Sequence, residues 1–333
     1  MSMSLIDNYI SYVSGVRRYS PRTVSVYSEC LSRFASFAME GTGGADDSVI
    51  LSSLTPGFLR SYEVHLLEGD PEHEKLSPRT VCLHMSVISG FCRYLIRTGM
   101  LKGNPAAVSG RPKAGKRLPV FYRGESMDTY FLETEYSVSS PWDLDYSTKA
   151  GMDAYKARLR RLIVSMLYST GVRRSELISL DIKSADFSRQ VLHVRGKGDK
   201  MREIPLTSSL CNEICLYLLA AESMTGCKRA GDDPLLISEK GLRLYPVYVD
   251  RAVKRELGDN SLGITGRKSP HVLRHTIATQ LLDDGADLNA IKEMLGHSSL
   301  AATQVYTHTT IGKLKSIYNN AHPRAKNGGK NGD

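Results

Sequence analysis

Between Asn104 and Leu118 the periodicity of this chain breaks, and nothing else in its text limits the fold as strongly. Pro105, Gly110, Pro112 and Gly115 stop any regular element, while Arg111, Lys113, Lys116 and Arg117 add positive charge with no acid among them. Such a stretch reads as a solvated basic linker. On both sides apolar residues return at spacings of three and four, the mark of helices that bury one face. A chain of 333 residues is also about two domains long. The expectation is a helical body at 1–108, a linker at 109–120, a second body at 121–325 and a polar, disordered tail at 326–333.

In the first body the pattern predicts helices over 8–16, 24–39, 54–67 and 81–98. Two of them open on the same pentapeptide, Ser20-Pro21-Arg22-Thr23-Val24 and Ser77-Pro78-Arg79-Thr80-Val81. Serine caps the free N–H groups of a first turn, and proline is tolerated at the first helical position. Convergent helix-start chemistry explains the repeat without a duplicated unit. Arg22 and Arg79 then stand where a phosphate nearing a helix N-terminus would be met.

The second body is expected to open on a polar, tyrosine-rich stretch to about Lys149. A helix over 154–168 follows, then strands over 190–195 and 201–206 flanking the turn Gly196-Lys197-Gly198-Asp199-Lys200. Further helices are predicted over 210–222, 244–257, 271–283, 289–295 and 300–314. Gly285 and Gly296 take C-terminal cap positions, and Ser298 or Ser299 caps the next helix. The fold class is therefore mainly α with a small antiparallel sheet.

Charge and cysteine content narrow the function. The formal net charge is +9, shared by both bodies, so any surface for a polyanion must be built by folding. No apolar run reaches the roughly 20 residues of a membrane span, and Met1–Ile10 has no signal-peptide core. None of the six cysteines stands in a C-x-x-C pair, which argues against a disulfide scaffold or a zinc site and for a reducing, cytoplasmic setting. Cys211 and Cys215 read as small buried thiols, and His193 as an exposed strand residue. No metal cluster, Walker lysine or dinucleotide fingerprint is present in the text, so neither metal nor cofactor is expected.

Two segments concentrate groups that handle phosphate. One is Ser169-Thr-Gly-Val-Arg-Arg-Ser-Glu-Leu177, where Glu176 is placed to serve Arg173 or Arg174. The other runs from His271-Val-Leu-Arg-His275 through Leu295-Gly-His297 to Tyr306. His271 and Arg274, three apart, share one helix face. Each part has an ordinary structural use alone, and their order gives the set its meaning.

Arg173, then Lys197 on a hairpin, then His271-x-x-Arg274, then His297, then Tyr306 resembles the catalytic box of the tyrosine recombinase (phage integrase) family. The runs Leu273–Leu282 and Leu295–His308, and the segment His322-Pro-Arg-Ala325, resemble that family's most distinctive text and its Xer subgroup. The first body, from Tyr19-Ser-Pro-Arg-Thr-Val to Asn104-Pro-Ala, resembles its helical, SAM-like core-binding domain. The longer connection over 122–149 departs from the pattern.

The resemblance implies a C-shaped clamp on double-stranded DNA bearing paired inverted recombinase-binding sites. It implies a tetramer, of this chain alone or with a second recombinase, and a Holliday junction between two pairs of strand exchanges. Arg173 and Arg274 would hold the phosphate, His271 would handle a proton, and His297 would bond the phosphate. Tyr306 would form a 3′-phosphotyrosyl link while Lys197 protonates the leaving 5′-oxygen. Arg22, Arg79, Arg111, Lys113, Lys116 and Arg117 would contact the DNA backbone. The segment 311–325 would dock on a neighbouring protomer.

Helical text begins near residue 4, leaving no room for an arm-binding domain. That favours a bacterial, nucleoid-associated Xer-like resolvase over an integrase or invertase of a mobile element or phase-variable locus. A catalytically idle DNA-binding regulator, a type IB topoisomerase and an RNA-binding protein fit less of the text.

Overall fold

The computed structural model describes residues 4–40, 47–69, 74–107, 122, 124–134, 144–196, 199–258, 264 and 266–296. The expected sites at Arg111, Lys113, Lys116, Arg117, Lys197, His297 and Tyr306 lie outside them. So do the cap serines 298 and 299, the helix over 300–314, the docking segment 311–325 and the tail. The chain divides into two compact units, Met1–Arg117 and Leu118–Asp333.

Every described element of the first unit is helical. Helix α1 (Leu5–Ser11) continues as a π-helical turn, Tyr12–Val16. Then come α2 (Pro21–Met39), α3 (Asp47–Ser53), α4 (Pro56–Glu68), α5 (Pro78–Arg97) and a short 3₁₀ turn, Pro105–Ala107. Three of these start on hydroxyl-plus-proline caps. Ser20, Thr55 and Ser77 accept the N–H groups of Thr23, Phe58 and Thr80, with proline next in each case. Each such cap contributes about 1 kcal/mol. The amphipathic faces then bury Leu31, Phe34, Leu59, Tyr62, Ile88, Phe91 and Leu95 in one core, at roughly 1.5–3 kcal/mol for a large apolar side chain.

In the second unit α6 (Gly124–Glu133) precedes α7 (Lys149–Thr170), which is buried on every side along its C-terminal half. Helix α7 packs against three later helices: α9 (Ser208–Thr225), α10 (Pro246–Glu256) and α11 (Pro270–Asp283). Between α7 and α9 lie the short α8 (Arg174–Ser179) and a three-stranded antiparallel sheet. Its strands are β1 (Ala185–Asp186), β2 (Val191–Arg195) and β3 (Met201–Pro205). The β2–β3 hairpin pairs Val191 with Pro205 and Arg195 with Met201. Helix α12 (Leu288–Leu295) closes the described chain.

Some elements depart from the sequence reading. Helix α6 occupies the polar, tyrosine-rich stretch on which no helix was placed, because Met127, Tyr130 and Phe131 bury one face at helical spacing. Helix α7 starts earlier than expected, at a Thr148 cap, and α3 and the two-residue β1 were not foreseen. Cys215 is exposed where a buried thiol was expected, while Cys211 is buried. His193 is only partly exposed and lies 3.5 Å from the Glu203 carboxylate. Among the described residues, no helix is long and apolar enough to cross a membrane.

Candidate functional site

Four chain segments meet at the C-terminal end of α7. The helix stops at Gly171, whose φ of +60° suits glycine. A Cβ there would lie 2.6 Å from Leu295 Cδ2 and 3.4 Å from Ile277 Cγ2, so side chains of α11 and α12 close over this residue and Leu295 would have to shift to admit a methyl. Two residues on, Arg173 caps α8, and its backbone N–H donates to Glu176 Oε2 at 2.8 Å. The glycine of the Thr-Gly-Val-Arg-Arg run thus supplies the left-handed turn that ends α7 two residues before the arginine.

Glu176 is the centre of the cluster. It is 5% exposed and accepts from Arg173 Nη1 at 2.8 Å, Arg202 Nη1 at 3.0 Å and Arg202 Nη2 at 2.7 Å. Burial pushes its carboxyl up, but the bonds from Arg202 and Arg173 prevail and hold it at about 2. Arg174, the other candidate partner, pairs instead with Asp250 of α10. The choice between the two arginines therefore goes to Arg173, with Arg202 as a partner the sequence reading missed. A signal for it was present: in Met201-Arg-Glu-Ile the strand alternation puts Arg202 on the same inward face as Ile204.

Arg274 is buried within α11 and donates to the carbonyls of Gly171 and Leu295. Burial, then the nearby charge of Arg173, lowers its guanidinium from 12.5 to about 10, against the opposing pull of Glu176. It stays charged at neutral pH. Among the described residues the cluster thus holds Arg173, Arg202 and Arg274 against one carboxylate, with backbone carbonyls meeting the positive excess. Such an arrangement is set to receive an anion.

His271 lies one turn before Arg274, exposed in the first turn of α11. It borders an open cleft of roughly 430 Å³ lined also by Arg174, Asp250, Arg251, Lys254, Arg267 and Lys268. The cations come from α8, α10 and the approach to α11, and no single stretch of sequence displayed them together. Of the expected site residues, then, Arg173 and Arg274 are brought together and His271 flanks them. Arg22 and Arg79 belong to the first unit, each exposed at the second position of its helix. Among the described residues, no group of three or more His, Cys, Asp and Glu side chains could hold a metal ion.

Comparison with known proteins bears on both units. Residues 147–312 match the phage integrase family, and residues 3–111 match the phage integrase SAM-like domain. The chain is 34% identical over 325 residues to the tyrosine recombinase XerC of Mycobacterium sp. (strain KMS), covering 97% of this chain and 99% of that protein. It is 31% identical over 323 residues to the tyrosine recombinase XerC of Chlorobaculum parvum, covering 96% and 94%. In fold it is similar to the XerH site-specific recombinase bound to difH substrate, with a TM-score of 0.60 at 21% identity, covering 96% of this chain and 86% of that one.

Proposed function

The chain belongs to the phage integrase family and is a tyrosine recombinase, a site-specific DNA recombinase; from that premise we propose which residues carry the strand transfer. Tyr306 attacks the scissile phosphorus, and a 3′-phosphotyrosyl bond forms as the 5′-oxygen departs. Arg173 and Arg274 hold the non-bridging oxygens through the five-coordinate state, where planar, permanently charged forks suit the spreading charge. His271 takes the phenolic proton, needed because a free tyrosine titrates near 10. His297 bonds the phosphate. Lys197 protonates the 5′-oxygen so that it leaves as a neutral hydroxyl, help typically worth about 10²–10⁴-fold. The phosphotyrosyl bond keeps the energy of the broken ester, so rejoining by the 5′-hydroxyl requires no ATP.

The observation that carries this reading is that Arg173 and Arg274 meet at the end of α12, donating to the carbonyls of Gly296 and Leu295, while Arg173 also bonds the buried Glu176. The basic cleft at His271 supports double-stranded DNA as the partner. We assign 1–108 to core binding, 109–120 to a linker across the phosphate backbone and 121–325 to catalysis. Arg22, Arg79, Arg111, Lys113, Lys116 and Arg117 are assigned to backbone contacts. The likeness to XerC recombinases supports an Xer-like role over an integrase or invertase; to that role we assign chromosome-dimer resolution in the cytoplasm, at the nucleoid, by a tetramer passing through a Holliday junction.

The test has two steps. Footprinting the Tyr306→Phe protein on genomic DNA identifies the site, and a nicked duplex carrying that site is then offered to both proteins. The expected result is a detergent-resistant adduct with the unaltered protein and unchanged binding without adduct for Tyr306→Phe. An adduct formed by Tyr306→Phe would refute the assignment.

A further inference from the structure

The last three carbonyls of the α12 terminus each accept from a different arginine. Met294 O accepts from Arg202 Nε at 2.9 Å, Leu295 O from Arg274 Nη2, and Gly296 O from Arg173 Nη2 at 3.0 Å. These groups have no partner within their own helix and form the negative end of its dipole. Two of the three arginines are the proposed phosphate clamp. The third, Arg202, has a side chain only 5% exposed, its guanidinium committed to Met294 and to both oxygens of Glu176.

Arg202 also meets the hairpin. A Cβ on Gly196, the first residue after β2, would lie 3.3 Å from Arg202 Nη1, and one on Gly296 would lie 3.2 Å from the same atom. One guanidinium therefore fits between the base of the hairpin, the first turn of α8 and the end of α12. These segments lead to Lys197, Arg173 and His297.

We propose that Arg202 is a positioning residue for strand transfer: through Glu176 and the end of α12 it fixes Arg173, the hairpin and the chain leaving α12 relative to one another. The proposal rests on the assignment of Arg173 and Arg274 to the phosphate. A buried ion pair is weak support for stability, since apolar replacements are often neutral. Sharing of Arg173 explains its presence better. Without Arg202, Glu176 turns wholly to Arg173 and competes with the incoming phosphate for that guanidinium.

The experiment compares Arg202→Met and Arg202→Lys with the unaltered protein in single-turnover adduct formation on the nicked duplex described above. DNA affinity and far-ultraviolet circular dichroism are measured alongside. Arg202→Met is expected to bind within about threefold of the unaltered protein and to form adduct about 100-fold more slowly at saturating DNA. Arg202→Lys keeps the charge but not the fork, so part of the rate should return; it also serves as the test protein if the methionine variant fails to fold. Combining Arg202→Met with Glu176→Gln should cost no more than about threefold beyond the worse single change, because both act through one group.

A folded Arg202→Met protein that forms adduct at the unaltered rate overturns the proposal and leaves the assignment of Arg173 and Arg274 standing. A fall in rate matched by an equal fall in affinity overturns it too, since Arg202 would then serve binding. If the unaltered protein forms no adduct, the strand-transfer reading fails and the proposal with it.

Discussion

Replacing Glu176 by glutamine tests the electrostatics of the site most directly. The carboxylate accepts two bonds from Arg202, one from the Arg173 side chain and one from the Arg173 backbone. An amide of the same shape offers one oxygen and turns an N–H group toward donors. The carboxyl is held at about 2 in the folded protein against 4.5 for the free group. At 1.36 kcal/mol per decade of equilibrium constant, that depression represents on the order of 3 kcal/mol of folding stability at neutral pH. The sign follows from the direction. A depressed acid contributes fully above its unfolded value, and the contribution is lost as pH falls from 4.5 toward 2.

At pH 3.5 the unfolded carboxyl is about ten-to-one protonated while the folded one stays ionised, so on the order of 1 kcal/mol of that contribution is gone. The glutamine protein has no such group to titrate. Hydrogen exchange of the buried α7 segment 159–168, followed in increasing urea, reports the stability of the second unit; the buried α5 segment 87–95 in the first unit serves as control. The gap between the two proteins should be on the order of 3 kcal/mol at pH 7 and narrower by on the order of 1 kcal/mol at pH 3.5. Equal stability at pH 7, or a gap that stays constant down to pH 3.5, would refute the account of Glu176.

Two further changes probe packing and DNA contact. Gly171→Ala sets a methyl against Leu295 in a left-handed backbone and should cost about 2–3 kcal/mol; an unchanged thermal midpoint would contradict the close approach of α7, α11 and α12. Lys254→Ala with Lys268→Ala removes two cations from the cleft beside His271. If each neutralises one phosphate, the log–log salt dependence of DNA binding should flatten by about 0.9 per lysine. An unaltered slope would place the backbone elsewhere.

Much of the fold was legible because local chemistry agreed with the final packing. Ser20 and Ser77 announce their helices through caps that the structure keeps, and Gly296 ends α12 with φ of +64° as its position suggests. Helix α6 was passed over because its apolar face is carried by three residues in acidic text, a pattern that becomes visible only once Tyr130 and Phe131 have something to pack on. In the site, Arg173 and Arg274 were found through their family text, since spacing alone cannot join residues so far apart in the chain. Arg202 went unread because an arginine on a short strand ordinarily points to solvent. Only the fold supplies the carboxylate that draws it inward. The cleft cations were missed for a related reason: α10 and the approach to α11 become neighbours only by folding.

The arginine-held end of α12 has a mechanical corollary. With three successive carbonyls held by arginines, Gly296 is fixed to the same groups that are proposed to hold the phosphate. Tyr306, the proposed nucleophile, follows it by ten residues in the sequence, and ten residues span at most about 35 Å. The place where the phosphate is held and the point from which the chain sets out toward the tyrosine therefore belong to a single anchorage.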